Sequence, residues 1–174
     1  MKKTLTALAA AAVLAGVAGP AASQSTQFPT FGNEVSLFGL WEDRKDPDIE
    51  TTRIYARYGR YFRPQVVGTL GFSRERTEVP GADSATTALM VGAKYYFTPL
   101  RPQSIVPFID GAIGLANTDN GPDDSTDFAW EFGGGVSWFF TSATSFDAGL
   151  RLFHTDTDSD TKGTRIFVGI TTRF

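Results

Sequence analysis

The sequence contains no cysteine. That excludes disulfides, thiolate metal sites and a lipid-modified cysteine anchor. It contains one histidine, His154, so a histidine-rich metal centre is excluded as well. Past the first two dozen residues, no apolar run approaches the ~20 residues of a membrane helix. The mean hydropathy is slightly negative. Positive charge is also short: 16 Lys and Arg stand against 19 Asp and Glu, a formal charge of −3. That balance weighs against nucleic-acid binding.

What is present begins with an export signal. Lys2 and Lys3 precede an Ala-rich apolar stretch from Leu5 to Ala18, and small residues follow at Gly19-Pro20-Ala21-Ala22-Ser23. This reads as a cleaved signal peptide over residues 1–23, with cleavage after Ser23. An uncleaved anchor is disfavoured because the run is short and rich in Ala and Gly. Removing the leader takes two lysines and shifts the formal charge to −5. Residues 24–32 read as a short periplasmic lead-in, and residues 33–174 as a single domain.

That domain alternates polar and apolar residues with a period of two, and no helix is predicted. Eight strands are expected, near Glu34–Glu42, Thr51–Phe62, Gln65–Arg74, Thr86–Phe97, Ile105–Ala116, Asp127–Phe140, Thr144–His154 and Arg165–Phe174. Each is close to the roughly 9–11 residues with which a tilted strand crosses a hydrocarbon layer. Tight connections are expected at Arg63-Pro64, Thr98–Ser104 and Thr141–Ala143. Longer polar ones are expected at Asp43–Glu50, Glu75–Ala85, Asn117–Thr126 and Thr155–Thr164. Short turns at one end and long loops at the other is the habit of outer-membrane barrels. The expected fold is all-β: an eight-stranded antiparallel up-and-down transmembrane β-barrel with its loops outside and its turns and termini in the periplasm.

Residue size decides which face looks outward. One face of the sixth strand carries Phe128, Trp130, Phe132, Val136, Trp138 and Phe140; the other carries Glu131, Gly133, Gly135 and Ser137. Eight strands enclose a bore just wide enough for side chains to fill. So many rings would crowd it, so they are expected on lipid, with a narrow polar bore inside. A soluble sandwich or lipocalin-like barrel is the alternative. Aromatic girdles are expected from Phe62, Tyr95, Phe97, Phe140, Phe146 and Phe174 toward the turns, and from Trp41, Phe72, Phe128 and Trp130 toward the loops. The first strand is ambiguous: Val35, Leu37, Gly39 and Trp41 fit the lipid face, but Phe38 and Leu40 dispute it.

Nine charges share the inward face: Arg53, Arg57, Lys94, Asp110, Glu131, Asp147, Arg151, Arg165 and Arg173. On lipid near the midplane, Arg or Lys would each cost about 2–4 kcal/mol. Arg57, Asp110, Glu131 and Arg151 lie mid-strand and are expected to form a charge cluster. Its bland role is to fill and rigidify the bore. Its sharper role is a gate, and with six bases against three acids any conducting state would favour anions.

The loops are acidic. Asp156-x-Asp158-x-Asp160 has the opening spacing of a calcium loop, but Thr161 and Phe167 occupy the positions of its Gly and closing Glu. No metal or cofactor is therefore expected; a loose role remains, with divalent ions bridging these carboxylates to lipopolysaccharide phosphates. His154 lies on the lipid face near the loops. Lipid A deacylases among small barrels use His-x-Ser, and here the stretch is His154-Thr155-Asp156. No serine nucleophile is present in it, and no catalytic constellation is apparent.

With the leader, the eight-strand rhythm, the strand glycines and the terminal Phe174, the chain resembles the OmpA/OmpX-like superfamily of small outer-membrane barrels. The final strand, with Ile166, Val168, Ile170 and Phe174 on one face, resembles the C-terminal signal such proteins present to the barrel assembly machinery. The resemblance implies a non-enzymatic, monomeric protein of the bacterial outer membrane, in contact with outer-membrane lipid and lipopolysaccharide. A structural or surface-interaction role leads; a small-solute or ion channel is the alternative, and a lipid A-modifying enzyme is less favoured.

Overall fold

The structure, a computed structural model, describes residues 32–45, 48–79, 82–97, 104–119, 124–156 and 161–174. The leader (1–23) and most of the lead-in (24–31) lie outside them. Eight strands occur in chain order: β1 Asn33–Lys45, β2 Asp48–Arg63, β3 Val66–Val79, β4 Ala82–Tyr96, β5 Ile105–Asp119, β6 Asp124–Phe139, β7 Thr144–Thr155 and β8 Thr161–Arg173. Every strand pairs antiparallel with its sequence neighbour, and β8 pairs back to β1 to close the barrel. Closure answers the edge problem: each strand finds a partner on both sides without a helix to cover it.

Every strand is longer than expected at its loop end, while the turn-end boundaries differ by one residue at most. β3 continues past Arg74 to Val79, and β4 begins at Ala82 rather than Thr86. Strand structure thus takes in much of the expected long loops, and residues 46–47, 80–81, 120–123 and 157–160 lie outside the described residues. Polarity does not end a strand: Ser73-Arg74-Glu75-Arg76 keeps the period of two, and its neighbours continue to supply ladder partners. At the turn end, Thr141 shapes the β6–β7 connection. Its Oγ1 accepts from the backbone N–H of Thr144 at 2.8 Å and of Ala143 at 3.2 Å.

The ladders are staggered. From Glu34 the pairing row passes through Gly59, Thr69, Gly92, Ala112, Glu131 and Phe153 and reaches β8 at Gly163. Across the closing seam, Glu34 pairs instead with Arg173, ten residues nearer the turn end. Such stagger is the geometric consequence of strand tilt in a closed barrel, so a pairing row climbs toward the loop end as it travels from β1 to β8.

The burial pattern is inside out. Large apolar side chains face outward on every strand, among them Trp138 (59 % exposed), Phe132, Leu150 and Ile166 (68 % exposed). Charged residues fill the interior. A soluble monomer rarely exposes apolar patches beyond a few hundred Å². Here the apolar surface girdles the barrel, as a lipid solvent requires. On β1 the ambiguity resolves in part: Phe38 points inward and is buried, while Val35 and Leu37 lie on the opposite face. The side chains of Leu40 and Trp41 are outside the description.

One expectation is corrected. The bore is not merely polar and lined by small residues. Phe38, Tyr55, Tyr96, Phe108 and Phe167, with Val67 and Val106, form a buried cluster inside it. Inward glycines supply the space. A Cβ on Gly71 would collide with the Tyr55 hydroxyl, and one on Gly169 with the Phe38 ring. Each ring therefore lies against bare backbone on a neighbouring strand, and volume is conserved by alternating large and small positions.

Candidate functional site

The candidate site is the charged bore. Arg57 sits at the middle of β2, Asp110 on β5, Glu131 on β6 and Arg151 on β7. Strand alternation turns all four inward, and each is 4 % exposed or less. Arg57 Nη1 donates to Asp110 Oδ2, and Arg151 Nη2 donates to the same oxygen at 2.7 Å. Glu131 Oε1 lies 3.5 Å from Arg57 and 3.4 Å from Arg151. Two cations and two anions therefore close into one neutral ring across the bore. Gly133, not Glu131, pairs with Arg151, so the β6–β7 contact runs along the diagonal.

Aromatic faces complete the shell. The Arg57 guanidinium lies 5.1 Å from the Tyr55 ring centroid and 5.5 Å from that of Phe38. The Arg151 guanidinium lies 4.6 Å from Phe167. Ring quadrupoles thus solvate, in part, charges removed from water. Burying an ion costs several kcal/mol, and close pairing with added hydrogen bonds is what offsets it.

The other five inward charges lie outside this ring, Lys94, Asp147 and Arg173 toward the turn end and Arg53 and Arg165 toward the loop end. Lys94 Nζ lies 3.1 Å from Asp147 Oδ2, which also accepts from Thr171 at 2.8 Å. Arg165 lies 3.0 Å from Glu75, and Arg53 lies 3.7 Å from it. Arg173 reaches the Tyr96 hydroxyl at 2.8 Å and the Tyr61 hydroxyl at 3.0 Å. Both tyrosines donate to Glu34, at 2.9 and 2.8 Å.

Two of these acids are additions to the sequence reading. Glu34 begins the first strand and was given no partner; its parity with Ser36 and Phe38 is the signal that places it inside. Glu75 was assigned to a loop, although it continues the inward alternation of Gly71 and Ser73. With both, and with Asp127 on the inward register of β6 at the loop end, the described inward charges are six basic and six acidic.

The outer surface carries the aromatic residues expected of girdles. Phe62, Tyr95, Phe97, Phe140, Phe146 and Phe174 are exposed toward the turn end, and Phe72, Phe128 and Trp130 toward the loop end. Of β8, Ile166, Val168 and Phe174 are exposed outward and Ile170 is half-buried. His154 Nε2 lies 3.4 Å from Asp156 Oδ1, and its ring lies 5.6 Å from that of Trp130. Asp158 and Asp160 lie outside the described residues. Among those described, no group of three His, Cys, Asp or Glu is arranged to hold a metal.

A closed eight-stranded barrel, apolar outside and ionic within, defines an outer-membrane β-barrel. The chain belongs to the family described as the outer membrane protein beta-barrel domain, whose model matches residues 8–174. That membership places it among proteins of the bacterial outer membrane. No curated protein matches it by sequence. Three solved structures resemble it in fold. Neisserial surface protein A is 15 % identical, with a TM-score of 0.64 over 82 % of this chain and 96 % of that one. The N-terminal β-barrel domain of Pseudomonas aeruginosa OprF is 15 % identical, with a TM-score of 0.55 over 82 % of this chain and 96 % of that one. The outer membrane enzyme PagL is 16 % identical, with a TM-score of 0.52 over 80 % of this chain and 97 % of that one.

Proposed function

We propose that this protein is a sealed, non-enzymatic barrel of the outer membrane with a structural or surface-interaction role. The observation that carries this reading is the Arg57–Asp110–Glu131–Arg151 ring, buried across the bore with rings packed against it. In this reading residues 1–23 direct export and are removed. The turns and termini lie in the periplasm and the hairpin tips outside. The outer face of β8 engages the assembly machinery, and the barrel acts as a monomer surrounded by outer-membrane lipid and lipopolysaccharide.

The test is conductance of the refolded barrel in a planar bilayer. A sealed bore gives no steady single-channel steps, and Glu131→Gln, which unbalances the ring, raises the frequency of brief openings. Steady conductance by the unaltered protein would overturn the reading.

One observation favours an ion path as the second reading. Asp110 Oδ1 and the Nε atoms of Arg57 and Arg151 are buried without a protein partner, so the ring has bonding capacity with which to re-pair. With six basic and six acidic inward residues among those described, an open state would show little charge selectivity. For an enzyme, His154 is the natural base to test, and the Asp156 carboxylate lies beside it. Mass spectrometry of lipid A with and without the protein addresses that case; a changed acyl pattern would contradict the non-enzymatic reading.

A further inference from the structure

The aromatic side chains inside the bore gather at two heights. Ten residues of stagger over eight strands is about 1.25 residues per strand, which puts ladder partners on one vertical scale. On that scale Phe38 of β1, Tyr55 of β2 and Phe167 of β8 stand at one level, within about one residue of each other. Tyr96 of β4 and Phe108 of β5 are ladder partners, and with Val67 and Val106 they stand roughly four to five residues nearer the turn end. Phe38 lies 6.0 Å from Tyr55 and 5.4 Å from Phe167, ring centre to ring centre, and Tyr96 lies 6.0 Å from Phe108. None of these side chains is more than 2 % exposed.

Between these heights the inward positions turn polar. Ser36, Arg57, Thr69, Lys94, Asp110 and Asp147 all lie there, and all are buried. The ionic ring passes obliquely through the upper tier, with Arg57 and Asp110 on its turn side and Glu131 and Arg151 toward the loops. An ionic ring is a poor barrier by itself, because its members can re-pair with water or with a passing ion. Asp110 Oδ1 and the Nε atoms of Arg57 and Arg151 have no protein partner. Aromatic side chains offer little with which to re-pair, and an apolar constriction sheds water. The upper three come from β8, β1 and β2, so they meet across the closing seam, and bare backbone at Gly149, Gly169 and Gly71 admits them.

We propose that the larger barrier to water and ions is the pair of aromatic tiers, and that they close off a polar compartment between them. This deepens the sealed-barrel reading and rests on it. The ionic ring balances the buried charge. Phe38, Tyr55 and Phe167 close the side of the compartment that faces the loops. Tyr96, Phe108, Val67 and Val106 close the side that faces the turns.

The chain has no cysteine, so one introduced thiol reports one position. Thr69→Cys puts it in the compartment, and Thr86→Cys puts it at the half-buried loop-end mouth as the accessible control. The refolded barrel in neutral detergent is treated with a small charged methanethiosulfonate, and modification is followed by mass. The expected result is reaction of T86C and protection of T69C. In the T69C chain, Phe38→Ala opens the upper tier and raises the rate at least about tenfold. F38L leaves the thiol protected, and E131Q raises the rate by less than F38A does. No rise with F38A, an equal rise with F38L, or a larger effect of E131Q than of F38A would each overturn the proposal while the sealed reading stands. Rapid modification of T69C in the otherwise unaltered chain would instead contradict the sealed reading. Phe167→Ala removes the same tier from another strand, so it decides where F38A fails to give the gel-mobility shift of a folded barrel.

Discussion

The two ends of the bore are built differently. At the turn end, Glu34, Tyr61, Tyr96, Arg173, Ser145 and Asp147 form a continuous network in which most polar atoms are bonded. At the loop end, one wall is Ala88, Met90, Ala112, Ala116 and Ala129, and the described inward charges there are Arg53, Glu75, Asp127 and Arg165. The closing seam follows the same division. The β1–β8 ladder runs from Glu34–Arg173 to Gly39–Val168; among the described residues it goes no further, although β1 extends to Lys45 and β8 begins at Thr161. The end where the first and last strands meet is locked by ladder bonds and side chains together. Toward the other end the β2–β3 and β4–β5 ladders still join neighbouring hairpins, while the described β1–β8 seam has no further pairs. Cohesion is thus concentrated at the turn end of the barrel, with the ionic ring between it and the loop end.

Substitutions that break this gradient rank in size along it. Asp110→Ala removes the acceptor shared by two buried guanidinium groups and leaves both uncompensated. It should cost about 3–5 kcal/mol, read as a lower urea midpoint for unfolding from lipid vesicles. Glu34→Ala strips the acceptor from Tyr61 and Tyr96 at the seam. A loss of about 2–3 kcal/mol is expected, with faster unfolding because the seam opens first; unchanged kinetics would show that the seam is not where the barrel parts.

Gly71→Ala places a methyl group against the Tyr55 hydroxyl. Overpacking should cost about 1–2 kcal/mol, and Tyr55→Phe in the same chain should recover part of it. Failure of that rescue would mean the space beside Gly71 is not set by the ring. Glu75→Gln, at the less enclosed loop end, should cost only about 0.5–1 kcal/mol. A loss as large as that of Asp110→Ala would erase the distinction between the two ends.

The gradient also explains what was legible in the sequence. Alternation places side chains on faces, so the strands, the outward rings and the inward charges could all be read from parity. Arg57, Asp110, Glu131 and Arg151 could be grouped because each is central in its strand, where depth is least ambiguous. Glu34 was not legible as a partner. Its contacts join the first strand to Tyr96 and Arg173, and such pairings arise only when the barrel closes with a particular stagger. Glu75 was hidden because a polar run reads as a loop, whereas here it remains paired on both sides. Tyr55 shares the inward register of Arg53 and Arg57, but the other inward rings were not legible, for a different reason. Crowding was judged from ring volume alone, and Gly71 and Gly169 provide the missing space only once ladder register sets them beside Tyr55 and Phe38.

The central claim is that apolar side chains look out at acyl chains while ionic ones seal the interior. Trp138 tests it most directly, because it is exposed on the outer face of β6 while its neighbour Ser137 is buried inside the bore. In a variant retaining Trp138 alone, with Trp41→Phe and Trp130→Phe, the protein is refolded into vesicles with brominated acyl chains. Strong quenching by the bromines and little by aqueous acrylamide is the predicted result. Quenching by acrylamide without quenching by the bromines would contradict the account.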